Sequence, residues 1–201
     1  WSWQKVLGGE AAHGMLALSP KAIDRLKVHK PEWPIPKIFR LMNKDKLISG
    51  IFEGSTINTP SMICVEDAID SLIWVENNGG LKNLLGISNK SFELIYKWIE
   101  KNEWVDFLAD KLDKKYLSNT SITFKIVEKW FTSLDDEKQR GVMKDICNLL
   151  SENNIAYDIN GYNKAPPSFR VWGGGTVQSE DIEKLLPWIE WSYNQIKSNY
   201  A

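Results

Sequence analysis

SWQKVLGGEAAHGML, residues 2–16, decides how the rest of the chain is read, because it sets Lys5 between an apolar stretch and a glycine-rich turn. Gly8 and Gly9 allow the backbone to turn closely after the lysine. HGMLALS, residues 13–19, is short and apolar and is bounded by Gly14 and Pro20, which predicts a buried strand. A lysine ahead of such a strand has two readings. Its side chain can snorkel to solvent, and spacing alone favours this. Alternatively, burial or nearby positive charge lowers its pKa, and the neutral amine becomes a nucleophile toward an aldehyde. His13 is expected to be structural, a hydrogen-bonded residue at the strand entrance rather than a base.

Beyond this segment, Ser19 followed by Pro20 predicts a helix to about Lys27, with serine as N-cap and proline in the first helical position. Pro31, Pro34, Pro36 and Pro60 mark residues 28–59 as a long irregular stretch, of the kind that is usually functional or covers a partner. Met62, Val65, Ile69, Leu72 and Ile73 then repeat at helical spacing to about Glu76, and Gly79 and Gly80 end that helix. A further helix is predicted over about 89–101, with Phe92, Ile95, Tyr96 and Ile99 on one face. From there the texture changes. SITFKIV, residues 121–127, alternates as a half-buried strand, residues 135–153 read as a helix, and 155–159 and 169–172 read as strands. Residues 179–198 read as a closing helix with Glu180 and Asp181 in its first turn. This later part is a small α+β domain of a few strands covered by helices.

With 43% apolar residues the chain can bury one large core or parts of two. Its 25 basic and 26 acidic residues nearly cancel and form no basic stripe, which argues against a nucleic-acid partner. No apolar run reaches the length of a membrane span and no signal-peptide pattern opens the sequence. Cys64 and Cys147 lack metal-ligand spacing, so no metal is expected. Both are expected as small buried residues in a reducing compartment rather than as a disulfide. The ten tryptophans are scattered and supply packing area. These features describe a soluble, cytoplasmic α/β protein. The chain opens at Trp1 inside an apolar-rich stretch, for which a missing upstream half is the simplest account.

Two more segments carry chemistry. In EGSTINTPSM, residues 53–62, Asn58 and Thr59 stand before Pro60 and a helix start, where free N–H groups and a positive dipole end suit a phosphate. Plain capping by Thr59 is the simpler local reading. In GYNKAPPSFRVWGGGTV, residues 161–177, Arg170 follows a Pro-Pro turn. It is either an exposed edge residue or a bidentate clamp for a carboxylate, a task that its planar fork suits better than lysine does. Gly173, Gly174 and Gly175 lack the flanking motif of a phosphate loop and read as a tight turn before the last helix.

Residues 2–16, with their Trp-Gln-Lys context, closely resemble the cofactor-lysine segment of the phosphoserine aminotransferases, class V enzymes dependent on pyridoxal 5'-phosphate (PLP). The resemblance runs to about residue 191 and includes PEWPIPKIFRL at 31–41 and SNTSITFKIV at 118–127. It implies PLP-dependent transferase fold type I, with residues 1–75 as the C-terminal part of the large cofactor domain and 76–201 as the small C-terminal α+β domain. It implies that Lys5 holds PLP covalently and that Gln4 lies near the cofactor phosphate. By the same resemblance Asn58 and Thr59 reach the cofactor phosphate of a neighbouring subunit, so a homodimer with shared active sites follows. Arg170 would bind the substrate α-carboxylate. The implied reaction moves an amino group between glutamate and 3-phosphohydroxypyruvate in serine biosynthesis, with a related step toward pyridoxine as a side activity. Lys5 would also act as a base, which requires surroundings that lower its pKa.

The chain departs from part of the family at Tyr162, Asn163 and Lys164, where some members carry a His-Arg pair that grips the substrate phosphate. Lys164 supplies one positive charge there. This departure keeps open a transaminase acting on an unphosphorylated 2-oxo acid such as glyoxylate or pyruvate, and the chain by itself can also be a non-catalytic fragment. A cysteine desulfurase of similar fold is disfavoured, because Cys64 and Cys147 both fall on predicted helices rather than in a mobile loop.

Overall fold

Helix α1 (Pro20–Val28) begins where the serine–proline pair dictates: Ser19 Oγ accepts a hydrogen bond from the Ala22 N–H at 3.2 Å, and Pro20 occupies the first turn. The computed structural model describes residues 1–109 and 112–200, and the chain divides into two units, Trp1–Trp74 and Val75–Ala201.

The first unit is sparse in regular structure. After α1 come a 3-10 turn at Lys37–Phe39, a two-residue hairpin of β1 (Met42–Asn43) and β2 (Lys46–Leu47), and a second 3-10 turn at Ser49–Phe52. Met42 lies opposite Leu47, and Lys44 closes the turn with a left-handed backbone, φ 55°. Residues 13–19 form no strand, contrary to expectation. One reciprocal pair of hydrogen bonds, both 2.7 Å, joins Met15 and Trp1 in antiparallel fashion, and the segment gains no ladder beyond it. Leu16 stays 56% exposed, and Leu16 and Leu18 line an open hollow with Ile23, Leu47 and Phe52. An apolar run becomes a strand only when a neighbour accepts its N–H and C=O groups.

Helix α2 (Met62–Asn77) also departs from its expected face. Its buried positions are Cys64, Ala68 and Val75, and Ser71 Oγ donates to the carbonyls of Leu7 and Asp67. Met62, Ile69, Leu72 and Ile73, which the spacing assigns to the core, are exposed, as are Ile63 and Trp74. Apolar residues lie on more than one face of the helix, and its smaller residues, Cys64 and Ser71, meet the loop of residues 7–10.

Gly79 (φ 85°) and Gly80 (φ 66°) turn the chain out of α2 with backbone that side chains disfavour, as expected of a helix stop. The next helix, α3 (Gly80–Lys101), starts at once rather than at Asn89. Leu84 and Ser88 extend its buried face upstream of Phe92, Ile95 and Ile99. There follow β3 (Val105–Phe107), which lies outside the expected strands, β4 (Ser121–Ile126), the short α4 (Lys129–Thr132), α5 (Asp136–Glu152), β5 (Phe169–Trp172) and α6 (Ser179–Lys197). Asp135 caps α5 by accepting from the Lys138 N–H at 2.9 Å.

The three strands form an antiparallel sheet in the order β3-β4-β5, with Phe124 opposite both Phe107 and Phe169, and Thr123 opposite Arg170. Alternation on β4 turns Ile122, Phe124 and Ile126 into the core. There they meet Ile95 and Ile99 of α3, Val142, Ile146 and Leu150 of α5, and Ile182, Leu186 and Ile189 of α6. Each such side chain contributes roughly 1.5–3 kcal/mol on burial. Residues 155–159, expected as a strand, do not form one. Asn154 (φ 56°) turns the chain out of α5, and the left-handed Asp158 (φ 54°) interrupts the extended backbone, leaving a single bridge between Asn160 and Phe169. The glycines at 173–175 are buried packing positions. A Cβ on Gly174 would meet the Trp172 ring at 2.7 Å, and one on Gly175 would meet Leu84 Cβ at 2.9 Å.

A polar knot pins α6 to the start of α4. The Glu128 carboxylate accepts from Lys197 Nζ at 2.6 Å, from Trp130 Nε1 at 2.7 Å and from the Tyr193 hydroxyl, while the Tyr193 ring stacks on Trp104 at 3.8 Å. Burial raises the Glu128 pKa, but the hydrogen bonds from Lys197, Tyr193 and Trp130 outweigh it and hold the carboxyl below its ordinary value. A carboxyl depressed in the folded state stabilises above its unfolded pKa, and that stability is lost as pH falls through the folded value. Glu128→Gln should therefore cost about 1–2 kcal/mol at neutral pH. The gap from the parent should narrow in acid. Urea unfolding at neutral and acid pH measures both, and an equal gap at the two would contradict the charge assignment.

Candidate active site

In the first unit, residues 2–9 wind around Trp3, which is 7% exposed. The Gly9 N–H donates to Trp3 O at 3.2 Å and the Gly8 N–H to Lys5 O at 3.3 Å, with Gly8 at φ 72°. Gly9 sits so near the indole that a Cβ there would lie 2.9 Å from Trp3 Cδ1. His13 packs edge-on to the same ring at 5.1 Å. The buried Nδ1 of His13 has no hydrogen-bond partner among the described residues, so its structural role is aromatic packing rather than the expected hydrogen bonding. Gln4 is half-buried, and its N–H donates to Ser2 Oγ at 3.2 Å.

Lys5 lies on the outside of this turn and is exposed, where a base with a lowered pKa calls for an enclosed amine. The turn surrounds Trp3, and its backbone bonds point inward, so the lysine is left facing out. Among the described residues no carboxylate pairs with it. Asn58 and Thr59 are also exposed. Ser61 O accepts from the Val65 N–H at 3.2 Å, so Thr59 stands two residues before the cap position of α2 and is not the capping residue.

In the second unit, alternation on β5 buries Phe169 and Val171 and turns Arg170 to the other face. Its side chain is 14% exposed, so Arg170 is not an exposed edge residue. Nη2 donates to Asp158 Oδ2 at 3.0 Å, the guanidinium carbon lies 4.6 Å from the centre of the Tyr162 ring, and the buried Nε has no partner among the described residues. A planar cation, nearly desolvated and only partly paired, is suited to a carboxylate.

Beside this strand, α5 and the loop of residues 160–168 enclose a cleft of about 170 Å³. Arg140 holds the loop: it pairs with Asp136 through Nε at 2.7 Å and donates to the carbonyls of Asn163 and Ala165, each at 3.0 Å. Gly161 is required here, since a Cβ would meet Ser168 O at 3.0 Å. Lys144, Asn160 and Tyr162 line the cleft. Lys164 is exposed and is not among its lining residues. Asp158, Arg140 and Lys144 are polar groups that the sequence reading did not single out. Asp158 was hidden inside the supposed strand, where an acidic residue between Tyr157 and Ile159 was the available signal.

Cys64 and Cys147 both carry free thiols. Cys147 lies within α5, and burial pushes its pKa up to about 12, so it is a protonated thiol at neutral pH. Among the described residues, no group of His, Cys, Asp or Glu could hold a metal ion, and no helix is long and apolar enough to cross a membrane.

No family model matches the chain. Among curated proteins it is 48% identical over 197 residues to the phosphoserine aminotransferase of Methanosarcina barkeri, a match that covers 98% of this chain and 50% of that protein. The phosphoserine aminotransferase of Methanosarcina mazei is 47% identical over the same shares. That of Corynebacterium glutamicum is 24% identical over 94% of this chain and 46% of its own length. The chain thus spans about half the length of the curated relatives it matches. Among solved structures, a phosphoserine aminotransferase from Bacillus circulans subsp. alkalophilus superposes with a TM-score of 0.56 at 18% identity, covering 72% of this chain and 36% of that one. A PLP-bound phosphoserine aminotransferase from Trichomonas vaginalis also gives 0.56, at 15% identity, covering 70% and 36%. At such identities the likeness is one of fold, and it bears out the α/β class read from the sequence.

Proposed function

We propose that this chain, a relative of the phosphoserine aminotransferases over nearly its whole length, carries the cofactor lysine and the substrate-carboxylate arginine of such an enzyme. The activity is transfer of an amino group between glutamate and 3-phosphohydroxypyruvate, with PLP as cofactor, in serine biosynthesis. A related step toward pyridoxine is a side activity. When bound, PLP supplies an electron sink for the substrate's Cα. Lys5 would hold the cofactor through Nζ, and its amine would move the proton at the substrate's Cα. Gln4 would lie near the cofactor phosphate, and Asn58 and Thr59 would reach the cofactor phosphate of a second copy. Arg170 grips the α-carboxylate, and Lys164 contributes charge toward the substrate phosphate.

The observation that carries this reading is Arg170, nearly desolvated and only partly paired, in a chain 48% identical over 98% of its length to a phosphoserine aminotransferase. The enclosure of Lys5 is assigned to residues of the complete enzyme, whose relatives are about twice as long. The chain alone is therefore expected to be inactive. The division between Trp74 and Val75 supports assigning residues 1–75 to the larger cofactor domain and 76–201 to the smaller domain. The exposed Ile51, Phe52 and Ile57, next to Asn58 and Thr59, support a homodimer with shared sites. Free thiols fit a reducing, cytoplasmic setting.

Borohydride reduction of the full-length, PLP-loaded enzyme followed by peptide mapping tests the reading. The cofactor's mass is expected on the peptide containing Lys5, and its appearance on any other lysine instead would overturn the assignment.

One observation favours a second reading. Lys164 is exposed and outside the cleft, and Tyr162 and Asn163 stand where part of the family carries His-Arg. An enzyme that prefers glyoxylate or pyruvate to 3-phosphohydroxypyruvate in parallel turnover assays would be a transaminase for unphosphorylated acids.

A further inference from the structure

Arg170 already has a carboxylate on it. Nη2 holds Asp158 Oδ2 at 3.0 Å and touches the Asp158 carbonyl at 3.4 Å, while Nε is buried without a partner among the described residues. The two members of the pair are unequally free: the Arg170 side chain is 14% exposed and that of Asp158 is 89% exposed. The arginine is fixed between the sheet and the Tyr162 ring, and the carboxylate can leave. Its position is nevertheless built. Asp158 has a left-handed backbone, φ 54°, and the next residues are tied to β5 by Arg170 N–H to Ile159 O and Gly161 N–H to Ser168 O, both 2.8 Å. A short acidic residue tolerates that backbone conformation.

We propose that Asp158 is a placeholder counter-ion, which occupies the carboxylate position on Arg170 until a substrate α-carboxylate displaces it and so sets the enzyme's affinity for its acidic substrates. This rests on the reading of Arg170 as the carboxylate-binding residue. In the substrate-free protein a nearly desolvated guanidinium is costly without an anion. Asp158 supplies one through a single oxygen on a single nitrogen. A free carboxylate can form two parallel bonds to the fork and replaces the weaker contact. Because the aspartate is solvent-exposed, its hold is modest, and the competition is small but measurable. Asp158 is thus a positioning residue that acts through Arg170 and takes no part in the chemistry.

The test uses the full-length, PLP-loaded enzyme. Asp158→Asn removes the competing charge and keeps a side chain that accepts the left-handed backbone. The KM for glutamate and for 2-oxoglutarate is expected to fall about two- to fivefold, in line with the strength of an exposed ion pair, while kcat stays nearly constant. The dissociation constant of a non-reacting dicarboxylate, measured by calorimetry, should fall by the same factor. Asp158→Glu should restore both constants toward the parent, and Asp158→Ser should repeat the asparagine result. An Asp158→Asn enzyme with unchanged or raised KM overturns the placeholder role. Arg170→Lys separates the two layers. If it raises KM while Asp158→Asn does not lower it, only the placeholder falls; if it leaves every constant unchanged, the carboxylate reading and the placeholder fall together.

Discussion

Alanine in place of Lys5 is expected to remove transaminase turnover from the complete, PLP-loaded enzyme, by about four orders of magnitude or more, since proton transfer alone contributes up to roughly 10⁴-fold. The amine is proposed to do two jobs, covalent attachment of the cofactor and proton movement at Cα, and both end with the nitrogen. Lys5→Arg should fail as well, because a guanidinium does not give up its proton near neutral pH. The visible absorption of the bound cofactor should change in the same sample. The loss should not be a folding defect. The turn that presents Lys5 is held by Trp3, Gly8 and Gly9 rather than by the lysine. Circular dichroism spectra of variant and parent should therefore overlay while activity disappears. An alanine variant that retains both turnover and the parent spectrum removes the assignment.

The second large effect is expected at Arg170. Truncating one partner of a hydrogen-bonded charge pair costs about 2–5 kcal/mol, roughly thirty- to several-thousandfold in kcat/KM for Arg170→Ala. The loss should appear with glutamate and with the keto acid alike, since both present the same α-carboxylate. Lysine should recover only part of it, because a point charge does not reproduce two parallel donors. Thermal stability will fall modestly, since the guanidinium also stacks on the Tyr162 ring. Circular dichroism separates that loss from the kinetic one. Unchanged kcat/KM for both substrates would show that this arginine serves the sheet and not the substrate.

Local chemistry made several elements legible in advance. The cap at Ser19, the helical stretch of residues 135–153, the alternation of residues 121–127 and the acidic start of α6 each encode a boundary within a few residues, and each was found close to where it was expected. Where expectation failed, the missing information was nonlocal or conformational. Residues 155–159 have a strand's composition, but the left-handed backbone of Asp158 breaks it, and the acidic residue between Tyr157 and Ile159 was the one local signal of that. The first turns of α3 were masked because Gly79 and Gly80 signal a stop, and the same glycines prove able to start the next helix. On α2 the periodicity identified an apolar helix but not its inner side, since a helix apolar on most faces is oriented only by what packs against it.

The candidate site divides the same way. Arg170 was legible as a strand residue suited to a carboxylate, and its depth in the structure follows from the alternation of β5. Its partner Asp158 was not legible, because a contact across twelve residues depends on a loop whose shape the sequence does not spell out. Lys5 was singled out by its surroundings in sequence, whereas its exposure depends on what lies around the turn in space.

The exposed strip of Met62, Ile63, Ile69, Leu72 and Ile73 along α2 has a consequence for biogenesis. Five large apolar side chains within a few helical turns are bait for holdase chaperones and for other strips of the same kind. How soon the strip is shielded after leaving the ribosome governs whether a cell making this polypeptide accumulates clear lysate or inclusion bodies.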